Sequence, residues 1–209
     1  MSKIKICGLT RIVDIEYVNK FLPDYIGFVF AESRRRISAE DALALSKVLD
    51  KWIKKAGVFV NHSIDDVLRI TSICGLDIIQ LSGDEDREYV KMLKSKASSK
   101  VEIWKSIRIK DKTSLSNAEL FDVDGILLDA YAESAYGGSG KTFDWTIAAE
   151  ASRKYKIILA GGLDSSKVRQ AIETVKPFAV DVSSGVETDG YKDETKIKNF
   201  IVKARFKQI

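Results

Sequence analysis

Eight short apolar runs, each separated from the next by a longer segment, constrain this chain more than any other feature. They are KIKIC (3–7), YIGFVF (25–30), KAGVFV (55–60), DIIQL (77–81), VEIWKSI (101–107), DGILLD (124–129), KIILA (156–160) and FAVDV (178–182). Runs of mostly continuous apolar character read as strands buried on both faces, which is the signature of a parallel sheet. The segments between them have helical period. In SAEDALALSKVLDKW (38–52), Ala42, Leu45, Leu49 and Trp52 recur at three- and four-residue steps, and Ser38 with Asp41 three residues on forms an N-terminal cap. Further helices are expected over 63–73, over 163–175 and in the stretch after the eighth strand. No Pro/Gly/Ser-rich linker divides the 209 residues, so residues 1–209 are expected to form one domain. An open doubly wound sheet would use fewer strands, and its dinucleotide-binding version carries G-x-G-x-x-G after the first. Here that position reads CGLTRI. The expectation is an α/β fold, a closed single-domain (β/α)8 (TIM) barrel.

Composition removes several function classes. Two cysteines, Cys7 and Cys74, make no disulfide framework, and a single histidine, His62, gives no metal-site spacing. Basic residues (34) and acidic residues (30) are interspersed, which speaks for a solvated surface and against a nucleic-acid footprint. The start, MSKIKICGLTR, breaks every apolar run with charge and reads as neither signal peptide nor membrane span, so a cytoplasmic protein is expected. His62 reads as an exposed loop residue, Cys74 as packing, and Trp52, Trp104 and Trp145 as core or barrel filling.

A barrel of this kind works at the carboxyl ends of its strands and often holds a phosphate on the loops after strands seven and eight. Those positions carry Cys7, Asp129, the AGGLD loop (160–164) and the DVSSGVE loop (181–187). Gly161 and Gly162 allow backbone N–H groups close to an anion, with a helix expected from 164. Ser183, Ser184 and Gly185 add a second set of donors, including two hydroxyls. A phosphomonoester site is expected there. The stretch GGSGKT (137–142) fails as a P-loop, because Ala135 stands where glycine is required, and reads instead as a lid over the mouth.

At this level of detail the chain resembles the phosphoribosylanthranilate isomerase family of tryptophan biosynthesis, nearly end to end. The resemblance is carried by KICGLT (5–10), GFVF with SRRRIS (27–38), GVFVN (57–61), IQLSGDE (79–85), LLDA with YGGSGKTFDW (127–145), LAGGL (159–163) and PFAVDVSSGVE (177–187). It implies a ketol isomerisation without a cofactor: the Amadori rearrangement of N-(5′-phosphoribosyl)anthranilate to the 1-deoxyribulose 5-phosphate product. A general acid opens the furanose ring to a Schiff base, and a general base removes the C2′ proton. The family's aspartate ending strand six and cysteine ending strand one correspond to Asp129 and Cys7. Its anthranilate-binding arginine corresponds to Arg35, and Asp181 supports the site. A guanidinium suits a carboxylate because its fork offers two parallel bonds, while Arg34 and Arg36 read as a solvated basic loop.

The acid and base roles set opposite demands. With ordinary values near ~3.9 for Asp and ~8.5 for Cys, the acid must be raised and the base lowered at neutral pH. Burial would do the first; loop N–H groups and the arginine run would help the second. The chain departs from the family at Ser82, in QLSG where QLHG is common, and in lacking a proline before the serine-arginine segment.

Three other readings are weighed and disfavoured, because strand one ends in Cys7 with one evident phosphate site, the rim lacks a lysine-glutamate set, and both Cys7 and Asp129 are retained. The histidine-pathway isomerase runs the same rearrangement with two aspartates and two phosphate sites, indole-glycerol-phosphate synthase needs a lysine and glutamates at the rim, and a non-catalytic barrel could bind a phosphosugar. The partner expected is a small phosphosugar, with no nucleic acid or membrane; monomer and homodimer both remain open.

Overall fold

The computed structural model describes residues 1–109, 121–130 and 145–206. Eight parallel strands close into a barrel in sequence order: β1 (Lys3–Cys7), β2 (Tyr25–Val29), β3 (Lys54–Phe59), β4 (Ile78–Leu81), β5 (Glu102–Ile109), β6 (Gly125–Ala130), β7 (Ile157–Ala160) and β8 (Ala179–Val182). The closure is a parallel pairing of β8 with β1, in which Lys5 lies opposite Asp181. Every expected strand is present to within two residues at either end, and the barrel fold follows. Among the described residues no helix is long and apolar enough to cross a membrane.

Strand alternation splits the apolar residues into two cores. Outward positions such as Ile4, Ile6, Phe28, Phe59, Leu81, Leu128, Leu159 and Val180 pack against the surrounding helices. Burial of each such side chain contributes roughly 1.5–3 kcal/mol. Inward positions build a smaller cluster of Tyr25, Ala56, Ile78, Trp104, Leu127, Ile158 and Ala179. Trp104 fills the barrel as expected: it is fully buried, edge-on to Tyr25 at 5.3 Å, and donates its indole N–H to Glu102 at 2.9 Å. By the same alternation Lys5, Cys7, Gln80, Arg108, Asp129 and Asp181 point inward, so the polar interior lies toward the carboxyl ends.

Described helices run over Ile12–Phe21, Ala39–Ser46, Ile64–Cys74, Arg87–Lys96, Trp145–Ser152, Val168–Val175 and Glu194–Arg205. Ser38 caps its helix as the sequence suggests, accepting from the Asp41 N–H at 3.0 Å. That helix nevertheless ends at Ser46, six residues short of the expected end. The helical register therefore never reaches Trp52, which is 78% exposed instead of packed in the core. Cys74 is buried as expected, whereas His62 is half-buried against Phe59 and not a free loop residue. The expected lid, residues 137–142, lies outside the described residues.

After β8 the chain makes a single 3-10 turn, Ser184–Val186, and then a two-stranded antiparallel ribbon of Glu187–Thr188 with Tyr191–Lys192, which the sequence reading did not anticipate. The β7 and β8 loops meet at Gly185, where an added Cβ would lie 1.9 Å from the Leu163 carbonyl oxygen. Gly185→Ala must separate the two loops, and is expected to cost roughly 2 kcal/mol or more. Thermal denaturation should show a fall of about 4 °C or more, against almost no change for Ser184→Ala, whose side chain is exposed.

Candidate active site

At the carboxyl end of β1, Cys7 is 7% exposed, and its sulfur fills the space that a Cβ on Gly27 of β2 would need, at 2.6 Å. Two residues back on the same strand, Lys5 is fully buried and donates its Nζ to Asp181 Oδ1 of β8 at 3.0 Å. Ser183, just past β8, donates its hydroxyl to the Cys7 carbonyl at 3.0 Å. The first and last strands are thus laced together around the thiol. Asp129 lies in β6, half-buried, in register with Arg108 of β5 on one side and Ala160 of β7 on the other.

A second hub forms above this floor. The loop after β2 returns as a β-bridge between Val29 and Arg36, which carries Arg35 over Gly8, the residue after the thiol. Arg35 donates Nε and Nη2 to the two oxygens of Glu187, at 2.7 and 2.8 Å. Glu187 also accepts from Arg34 Nη2 at 2.5 Å and from the buried Lys192 Nζ at 2.6 Å. Arg34 was expected to be merely solvated; it is a partner in this hub, because the ribbon brings Glu187 up beneath it. Arg36 does behave as an exposed charge, pairing with Glu32. Three cations around one carboxylate leave the mouth net positive. The side edge of Arg35 is committed to Glu187, and its end-on edge, Nη1 with the second Nη2 hydrogen, can still meet a carboxylate.

Charge and burial act differently on the two candidate proton-transfer groups. Burial, and then the Asp181 carboxylate, push Asp129 above its ordinary value, with Arg108 opposing; this is the direction a general acid requires. Burial also pushes the Cys7 thiol up, against the pull of Lys5 and Lys192. The expected lowering of Cys7 is therefore not found in the unliganded barrel. Arg34 and Arg35 are engaged with Glu187, and the positive potential at the sulfur comes chiefly from the two lysines.

The two loops expected to hold a phosphate lie against each other. Gly161 and Gly162 both adopt left-handed backbone, with φ of 86° and 62°, and the space beside Gly162 is open, with no heavy atom within 4 Å of a built Cβ. Ser184 and Gly185 begin the turn after β8, in direct contact with the β7 loop. Two details differ from expectation. The Ser183 hydroxyl is committed to the Cys7 carbonyl and does not add a donor to the mouth. The helix after β7 begins at Val168 and not at 164, because the Asp164 carboxylate takes the N–H groups of Ser166 and Lys167 in a local turn. At the Ser82 departure, the hydroxyl accepts from Gln80 Nε2 at 3.0 Å, and the inward Gln80 Oε1 is buried without a partner.

Sequence reading passed over Lys5, Arg108, Glu187 and Lys192. A signal was present for the first two: each is a charged residue at an inward position of a barrel strand, where an apolar side chain is the rule. Glu187 lies within the quoted DVSSGVE stretch, yet its role depends on the ribbon that follows. Among the described residues, no cluster of three or more His, Cys, Asp or Glu side chains could hold a metal ion.

Glu187 gives a pH test. Burial opposes its ionisation, but the hydrogen bonds from Arg35 and Lys192 outweigh this and hold it at about 2. A folded value below the unfolded one means that the stabilisation is full above roughly pH 4.5 and is lost as the pH falls toward 2. We expect Glu187→Gln to melt well below wild type at pH 6, by up to about 3 kcal/mol, and the two to converge near pH 2. A gap that stays constant across this range would show that Glu187 does not act through its charge.

Comparison with known proteins agrees with this geometry. The family model for N-(5′-phosphoribosyl)anthranilate (PRA) isomerase matches residues 4–203. The N-(5′-phosphoribosyl)anthranilate isomerase of Acetivibrio thermocellus is 51% identical, the alignment covering 98% of this chain and 96% of the relative. The crystal structure of phosphoribosyl anthranilate isomerase from Thermotoga maritima superposes with a TM-score of 0.87 at 37% identity, covering 98% of this chain and 99% of that one. A phosphoribosyl anthranilate isomerase crystallised with reduced 1-(o-carboxyphenylamino)-1-deoxyribulose 5-phosphate superposes with a TM-score of 0.84 at 34% identity, over 98% and 99% of the two chains. With its motifs, its barrel and its matched length in agreement, the chain belongs to the N-(5′-phosphoribosyl)anthranilate isomerase family.

Proposed function

We propose that this chain catalyses the Amadori rearrangement of N-(5′-phosphoribosyl)anthranilate, with Asp129 as general acid and Cys7 as general base. The observation that carries the assignment of roles is the unequal treatment of two groups on one barrel rim: a carboxyl that burial and the Asp181 carboxylate push above its ordinary value, and a thiol beside which two ammonium groups are placed. Asp129 gives its proton to the furanose ring oxygen, the C1′–O bond breaks, and the anthranilate nitrogen supplies electrons to form the iminium. The Cys7 thiolate then takes the C2′ proton, and those electrons neutralise the iminium as the enolamine. The acid is now the carboxylate and the base the thiol. Tautomerisation to the ketose places a proton on C1′ and releases one from the C2′ oxygen, which restores the starting states.

Binding follows from charge and space. The substrate's phosphate is assigned to the backbone N–H groups of Gly161, Gly162, Ser184 and Gly185, with Ser183 acting indirectly by bracing the Cys7 carbonyl. The anthranilate carboxylate is assigned to the end-on edge of Arg35, which Glu187 holds in place. Asp181 supports both proton-transfer groups from the barrel floor. We place the activity in the cytoplasm, where the free thiols Cys7 and Cys74 stay reduced.

The fluorescence of N-(5′-phosphoribosyl)anthranilate, generated in place, reports its consumption. Asp129→Ala and Cys7→Ala should each lower kcat by about 10²–10⁴ while changing KM little. A Cys7→Ala variant that kept most of its kcat would remove the thiol from the role of base, and a folded wild type without turnover would overturn the activity itself. Arg35→Ala should raise KM more than Arg34→Ala does, and equal effects would count against Arg35 as the carboxylate partner.

A further inference from the structure

A fully buried lysine inside a small barrel needs a reason. Removing an ammonium and a carboxylate from water costs several kcal/mol apiece, and a well-packed apolar pair of similar volume is often as stable or more so. Packing alone therefore does not account for Lys5. Burial presses its ammonium toward the neutral form, but Asp181 and then Cys7 more than offset this, so the charge is retained. One of its three N–H donors goes to Asp181 Oδ1 at 3.0 Å, and strand alternation puts the ammonium on the same inward face of β1 as the Cys7 sulfur, on which its charge acts.

We infer that Lys5 is a positioning residue for the thiol: its buried ammonium, held by Asp181, faces Cys7 from two places back on the same strand and stabilises the sulfur as the thiolate that accepts the C2′ proton. The inference rests on the proposed role of Cys7 as base. Other charges among the described residues also act near the sulfur. From β8 comes the Asp181 carboxylate, which opposes the thiolate and is itself neutralised by Lys5. The ribbon brings Lys192, whose ammonium is engaged with Glu187 Oε1 at 2.6 Å and the Ser183 carbonyl at 3.0 Å. From the loop after β2 comes Arg35, bound to Glu187 through its side edge. On the β2 side the sulfur lies against Gly27. Among the described residues Lys5 pairs with Asp181 and with no second carboxylate or carbonyl, and its pull on the thiol is the largest of the charges acting there.

Two variants test this: Lys5→Met, and Lys5→Met combined with Asp181→Leu, which leaves no lone buried charge. Alkylation of Cys7 by iodoacetamide at pH 8 is followed by peptide mass spectrometry, with the buried Cys74 as an internal measure of folding, since it stays protected only in the native barrel. Both variants should alkylate Cys7 at least about threefold more slowly than wild type, because a higher thiol pKa lowers the thiolate fraction more than it raises nucleophilicity. Lys5→Met should be the slower of the two, since Asp181 remains beside the sulfur. In turnover, Lys5→Met should lower kcat with little change in KM and move the thiolate limb of the kcat–pH profile upward. A folded variant that alkylated at the wild-type rate, or whose limb did not move, would overturn the inference. Should Lys5→Met lose its fold, the double variant decides. The alkylation assay contains no substrate, so a wild type that failed to turn over would sink the isomerase reading without masking the coupling of Lys5 to Cys7.

Discussion

The ion pair of Lys5 and Asp181 sits where everything else in the barrel interior meets. It joins β1 to β8, the one pairing that turns a curved sheet into a closed barrel, and it does so between two side chains almost cut off from solvent. Neither partner is tolerable there alone. From this pair the electrostatics spread in two directions. Asp181 adds to the burial that raises the Asp129 carboxyl above its ordinary value, while Lys5 works against the burial that raises the Cys7 thiol. A single closure contact thereby sets opposite conditions for two groups on the same rim.

Above it, the Glu187 hub handles a separate task. Its three partners come from the loop after β2 and from the ribbon after β8, so it lies outside the sheet and is shaped by loops. The division matches the chemistry: proton transfer needs groups fixed by rigid strands, and recognition of an anionic substrate needs a surplus of cations in a region that can accommodate it. Lys192 touches both layers, reaching from Glu187 to Ser183 and so to the carbonyl of Cys7.

Most of the fold was legible in the sequence because parallel barrel strands announce themselves: near-continuous apolar runs at regular spacing leave few architectures to choose from. Positions of the candidate site followed from the rule that strand ends face the mouth, which brought Cys7, Asp129 and the two glycine loops forward together. What escaped reading was the partnership of side chains distant in sequence. Lys5 looks like one more surface lysine until strand alternation turns it inward. Arg34 looks solvated until the ribbon places Glu187 beneath it. Trp52 looked buried because its spacing continued a helix that in fact ends at Ser46, where local periodicity persists but the backbone does not follow. The direction of the Cys7 shift depended on the balance between desolvation and two lysines, and that balance exists only in three dimensions.

The lacing of β1 to β8 has a consequence for how the molecule comes into being. Lys5 and Asp181 are separated by 176 positions along the chain, as are Cys7 and Ser183. Contacts this remote carry the full entropy of closing a long loop before they return any stabilisation. A nascent chain emerging from the ribosome holds its nucleophile from the first few residues onward, yet no partial barrel can furnish the surroundings of that thiol until the eighth strand arrives. Chemical competence is therefore the last property the polypeptide acquires.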